Sequence, residues 1–275
     1  MLFRSQGKGL LVEQLVGIAI EALSHDRVFS ILAKIDVTSD VLKDFHTKFL
    51  EHCQVRYDLI NLETEKAFWY NLIQHGFTDD GKGGGRVLRQ GVPLVVGDWK
   101  QSVWGFFSWS YPDRKDVTRT IDEYFHKTGQ LLDKTPWQLR DSDNYKEELR
   151  EVVIKCCMLK ILAPAHRRIG ELVWRLKTHR SALLTVLAVL QYHKDEHQYP
   201  KHLKELIASG YLKQLPIDAW SDKPLVYRRT DNNFILYGIG GNFKDDGGEV
   251  VKRDDGRIQK YADEGDWVFW PVFGQ

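Results

Sequence analysis

The chain has 275 residues, enough for one large domain or two small ones, and 43% of them are hydrophobic, which suffices for an ordinary core. Its 39 Lys and Arg against 38 Asp and Glu leave a formal charge of +1, so no global field recruits nucleic acid or anionic lipid, and no nucleic-acid partner is expected. Cys156 and Cys157 are adjacent and Cys53 is distant, a pattern that fits neither a disulfide framework nor metal-ligand spacing and reads as buried free thiols.

Residues 1–9 carry Arg4 and Lys8, but Glu13 and Gln14 interrupt the apolar run that follows, so no secretory signal is expected. Leu11, Leu15, Ile18 and Ala22 fall on one stripe of a helix over residues 10–32, and a folded region therefore starts almost at once. Read from Met1 the chain is cytoplasmic; a membrane anchor upstream would instead place it at the cell envelope. Helical spacing continues over 41–53 and 59–74, and Gly76 stops it. Residues 79–85, DDGKGGG, are too rich in glycine for a helix or strand and form a turn or loop without Walker spacing. Residues 92–111 form a short hairpin or an aromatic plug, in which Trp99, Trp104 and Trp109 serve a core more readily than a ligand groove.

Helices resume at 117–132, and Thr135-Pro136-Trp137-Gln138 has the spacing of a capping box with proline at the first helical position. A further amphipathic helix covers 145–163, Pro164 breaks or kinks it, and 169–191 carries the longest apolar stripe. Its most apolar part, 182–190, falls well short of the ~20 residues that span a bilayer, so no transmembrane segment is expected. The period then changes. Residues 225–229, 234–239 and 267–270 are short β-branched or aromatic runs between turns, the pattern of an antiparallel sheet.

The landmarks of the last third come in a fixed order. A helix is followed by Tyr199-Pro200, then Leu203, Glu205 and Leu206, then Tyr211-Leu212, Leu215-Pro216, Asp218-Ala219-Trp220, Lys223-Pro224-Leu225, Tyr227 and residues 234–240. This order resembles the major pseudopilin of type II secretion, with its helix, YP, L-x-E-L, YL, P-x-D-P-W, G-x-P-x-x-Y and L-Y-S-x-G. Each landmark also has a physical role: Pro200 pushes Tyr199 out of the α region and ends the helix, and Trp220 is placed to pack on that helix. Ala219 stands where the family has proline and Gly238 where it has serine. The family's processing site, Gly-Phe with Glu five residues into a long apolar helix, is not matched; Gly105-Phe106 is followed by Phe107, Ser108, Trp109 and Ser110.

The resemblance implies a calcium loop at 240–266, with Asn242, Asp246 and Asp266 as side-chain ligands and carbonyls from about Ile239 and Gly240. Calcium takes six to eight oxygens in a flexible cage, which an acidic, glycine-rich loop provides, with an affinity on the order of 10⁻⁴–10⁻³ M. The alternative is a solvated acidic loop whose acids make Asx turns or pair with Lys244, Lys252 and Arg253. Residues 193–197, HKDEH, also match H-x-x-E-H, the inverted zinc-peptidase motif, with His193 and His197 as ligands and Glu196 activating water; His202 is a candidate third ligand.

These readings combine into an α+β protein: a mainly helical region at 1–165, then a pseudopilin-like domain at 166–275 in which a long helix packs on a small antiparallel sheet. The expected role is a non-catalytic structural or protein-interaction module, with calcium as cofactor, other proteins as partners and no catalytic residues. The rival reading is a zinc-dependent hydrolase at His193–His197.

Overall fold

The computed structural model describes residues 9–55, 59–88, 112–142, 147, 149–153, 157–256 and 258–272. It is an α+β protein: helices α1 (Leu11–Leu32), α2 (Ser39–Val55), α3 (Leu62–Gly76), α4 (Arg114–Leu132), α5 (Pro136–Leu139), α6 (Cys157–Glu196) and α7 (Leu203–Ala208) precede five short strands. These are β1 (Ile217–Asp218), β2 (Lys223–Pro224), β3 (Val226–Arg229), β4 (Phe234–Gly238) and β5 (Trp267–Trp270). Two compact units are present. One comprises Met1–Gly17, Leu59–Lys134 and Asp141–Leu172; the other comprises Ile18–Asp58, Thr135–Arg140 and Val173–Gln275.

In the first unit α3 packs on α4 around Trp69, Ile73, Val117, Ile121, Tyr124 and Phe125. Both helices begin on side-chain caps: Asn61 Oδ1 accepts from Glu63 N at 2.8 Å and Asp113 Oδ1 from Lys115 N at 2.8 Å, each satisfying an amide that a helix start leaves unpaired. The glycine-rich stretch is a closed loop. Phe77 bridges Val87, and Asp80 Oδ1 accepts from Lys82 N and Gly84 N. The start of α1 joins this unit through Gln14, whose amide exchanges two hydrogen bonds with the Asn61 backbone, at 2.6 and 3.0 Å.

The core of the second unit is made by the later turns of α1, α2, the later turns of α6 and the sheet, with Phe29, Leu183, Leu187, Trp220, Leu236 and Trp267 among its buried members. The sheet runs β3-β4-β5, antiparallel throughout, and β4 is buried at four of its five positions because α6 covers one face and the long β4–β5 connection folds back. β1 and β2 form a separate antiparallel pair. The α5 start has the expected capping box between Thr135 and Gln138. Trp220 is buried and packs edge-on against Trp267, with ring centroids 4.2 Å apart, while Ala219 N donates to Thr178 Oγ1 of α6 at 3.5 Å.

Three expectations change. α6 runs through Pro164 as one helix of 40 residues, so the proline does not break it; the one lost backbone bond is outweighed by the helix continuing on both sides. The buried side of α1 includes Leu11 and Ile18 but also Gln14 and His25, while Leu15 and Ala22 are only half-buried. The strand expected at 225–229 starts at Val226. Trp99, Trp104, Trp109 and Cys156 lie outside the described residues. Cys53 is a free, half-buried thiol whose pKa burial pushes up to about 11. Among the described residues no helix is long and apolar enough to cross a membrane.

Candidate functional site

The connection from β4 to β5 leaves the sheet at Ile239 and returns at Asp266. Its ends meet: Gly240 and Gly265 approach so closely that a Cβ on Gly240 would lie 1.9 Å from the Gly265 carbonyl oxygen, a space only glycine can occupy. Asp266 N donates to Glu249 O at 2.8 Å, and Gln259 N to Val251 O at 2.8 Å, which folds the middle of the loop back on itself.

Asp266 closes this arrangement. It is 5% exposed, and its Oδ2 accepts from Gly248 N at 2.6 Å. Its other oxygen, Oδ1, is buried with no hydrogen-bond partner among the described residues. Burial raises its pKa; the Gly248 and Asp246 amides pull it back, and the carboxylates of Asp245 and Asp246 push it up again. Asn242 Nδ2 donates to Asp246 Oδ2 at 2.7 Å, and Asn242 Oδ1 accepts from Lys244 N at 3.0 Å. The structure thus joins Asn242 to Asp246 and sets Asp246 beside Asp266. The Gly240 carbonyl accepts from Phe243 N at 3.1 Å, and Ile239 N donates to Asp218 Oδ2 at 3.0 Å.

Asp218, the last residue of β1, holds the start of the β4–β5 connection through Ile239 N. It is 1% exposed, accepts from the amides of Trp220 and Ile239 and from Ser221 Oγ, and its pKa is pushed up to about 6, chiefly by burial, with Asp266 contributing. Asp245 Oδ1 accepts from Tyr237 OH at 2.9 Å and from Gly247 N at 3.0 Å, as an Asx turn does. Among the described residues no group of three or more His, Cys, Asp and Glu side chains is disposed to hold a metal ion; Asn and carbonyl oxygens fall outside that description.

The H-x-x-E-H residues are arranged differently from a metal pair. His193 stacks on Tyr199 with ring centroids 4.0 Å apart, and burial lowers its pKa. His197 stands past the end of α6 with φ +56° and faces solvent, as does Glu196. His202 is the N-cap of α7. This geometry lends the zinc reading no support.

A second cluster lies within the other faces of the same unit. Glu21, His25 and Asp26 of α1 meet His179 and Arg180 of α6: Arg180 grips Glu21, His25 Nε2 lies 3.5 Å from Glu21 Oε1, and His179 Nε2 lies 3.3 Å from Asp26 Oδ1. Lys260, from the β4–β5 connection, also pairs with Asp26. The only sequence signal for this cluster is a set of charged and histidine residues at helical spacing on faces otherwise apolar.

No family model, no curated protein and no solved structure matches the chain.

Proposed function

We propose that the second unit is a non-catalytic protein-interaction module of the pseudopilin kind, with the 240–266 connection closed over a calcium ion. The observation that carries this reading is Asp266 Oδ1. A buried acceptor without a partner costs about 1–3 kcal/mol, more when it bears charge, and a cation at that oxygen removes the cost. The donors that the resemblance names beside Asp266 are oxygens, from Asp246, Asn242 and the Ile239–Gly240 backbone, a set that suits a hard cation such as calcium and not zinc. The order of landmarks from Tyr199 to Gly240 supports the kinship independently.

When bound, the ion supplies positive charge at the point where the two ends of the loop meet. Asp266 anchors that point to β5, the Asn242–Asp246 pair brings the outgoing strand's loop alongside, and the loop so tied presents a fixed surface to a protein partner. A ligand that binds only the folded loop stabilises by mass action, about 1.4 kcal/mol at tenfold excess over Kd.

Thermal unfolding in millimolar calcium, in magnesium and in a chelator tests this. The melting temperature is expected to rise with calcium in the native chain and not in Asp266→Asn. An unchanged native melting temperature, or a rise that survives in Asp266→Asn, sinks the reading.

A further inference from the structure

We infer that α1 pairs two copies of this chain in antiparallel, through an outer face of the helix that is apolar and exposed. Within this one helix Val12, Val16, Ala19 and Leu23 follow each other at steps of four, three and four residues, the spacing of a seam between two helices, and Ile20 stands beside them. All five are exposed, Val12 to 71% and Leu23 to 66%. Leu11, Gln14 and Ile18, on the opposite side of the helix, are buried. A surface helix ordinarily keeps its polar residues for the side that meets water, so an apolar seam on that side marks a place where another surface sits.

Charge and spacing along the seam identify that surface as a second copy. Glu13, Ile20 and Arg27 lie seven residues apart on one edge of the face, about 10 Å between neighbours along the axis. Glu13 and Arg27 are exposed and make no ion pair among the described residues. A second α1 laid antiparallel, with the twofold axis at Ile20, brings Glu13 of each copy to Arg27 of the other. It also sets Val16 level with Leu23 to within one residue and covers Val12 with the apolar stem of Arg27. A parallel pair would set Glu13 against Glu13 and Arg27 against Arg27, so the seam fits itself in one orientation. The two charges cancel, and the face offers an anionic membrane nothing to hold. The five apolar side chains present roughly 400 Å² per copy, and with Glu13 and Arg27 a pair buries about 1,000 Å² in total, the least that a specific interface needs. The dimer is accordingly weak.

Sedimentation of the full chain in reducing buffer with chelator, from about 2 to 200 µM, tests this without reference to calcium. A reversible monomer–dimer equilibrium is expected. Leu23→Glu changes an exposed side chain; it should leave the melting temperature at the lowest concentration unchanged and weaken dimerisation about tenfold or more. Glu13→Arg or Arg27→Glu alone places like charges together on both sides of the axis and should weaken it about tenfold, whereas the two changes combined restore both pairs and should return it to within about threefold of native. Phe68→Glu, at an exposed apolar residue of α3, should change nothing. A monomer throughout, a dimer indifferent to Leu23→Glu, a combined charge change as weak as the single ones, or adsorption to phosphatidylglycerol vesicles with no self-association each overturns the proposal.

Discussion

Arg180 holds Glu21 through two nearly parallel hydrogen bonds, Nε to Oε1 at 2.5 Å and Nη2 to Oε2 at 2.8 Å, with only 6% and 11% of the two side chains exposed. A bidentate pair in so dry a place is strong only while both partners remain. Removing one leaves a buried charge unpaired, so Arg180→Leu or Glu21→Leu alone is expected to cost about 3–5 kcal/mol. The double change Glu21→Leu with Arg180→Leu should recover most of that loss, because two apolar side chains replace two desolvated charges. Urea unfolding of the four proteins closes the cycle; additive losses would show that the two residues act separately.

The same cluster fixes how stability responds to acid. Burial lowers the pKa of His25 from 6.5 to about 3, helped by His179 and Arg180 and opposed by Asp26, and burial also lowers that of His179. The His25 ring is therefore neutral in the folded chain near pH 5, while in the unfolded chain it takes up a proton below pH 6.5, and the His179 ring is shifted in the same direction. Stability must fall as pH drops through that window, with a slope approaching ~1.4 kcal/mol per pH unit from His25 and a further loss from His179. Asp218 acts in the opposite sense between pH 6 and 3.8, since its folded carboxyl holds a proton that the unfolded one has lost. Asp26, drawn down to about 2 by His179 and Lys260 against the upward push of burial, adds a further loss only below pH 3.8. Four imidazoles shifted down, those of His25, His46, His179 and His193, outnumber the two raised carboxyls of Asp218 and Asp266, which predicts net acid lability from pH 6.5 downward. Urea midpoints from pH 7 to 4 should show it, and His25→Phe, whose ring can keep the edge contact with Phe49, should flatten it.

Asp113 links two pieces of the first unit. Its Oδ1 caps α4 at Lys115 N, and its Oδ2 accepts from Gly85 N at 3.1 Å in the glycine-rich loop. Asp113→Ala is expected to lower the melting temperature modestly and to speed hydrogen exchange at both the Gly85 and Lys115 amides. Faster exchange at Lys115 alone would mean that the loop is held by Asp80 and not by the cap.

The parts of this fold that can be read from sequence are those governed by local patterns. The 267–270 strand is an aromatic run between turns and appears at Trp267–Trp270, and the Thr135 capping box forms because its four residues satisfy each other. The buried face of α1 is not local. Gln14 goes inside because the Asn61 backbone meets it, and His25 because Glu21, His179 and Phe49 surround it, so apolar spacing alone overstates Leu15 and Ala22. Pro164 likewise carries a local penalty that the surrounding helix absorbs. For the loop, resemblance alone names the residues; no pattern of acids conveys that one oxygen of Asp266 is buried with no hydrogen-bond partner among the described residues while Asp245 makes an ordinary Asx turn.

Gly240 is where the backbone leaving β4 passes the backbone entering β5, and the atom facing it, the Gly265 carbonyl, cannot swing aside as a side chain would. Gly240→Ala therefore forces the two ends of the loop apart, at a cost of about 1–3 kcal/mol. If the loop is closed over calcium, the same change must also lower calcium affinity, because Asp266 moves away from Asn242 and Asp246. Gly247→Ala is the comparison: its φ of +75° makes it strained too, yet nothing lies within 4 Å of the added carbon. The expected outcome is that both variants lose stability in chelator, but only Gly240→Ala loses the calcium-dependent rise in melting temperature. Equal calcium responses in the two would show that the approach of Gly240 to Gly265 serves the sheet and not an ion.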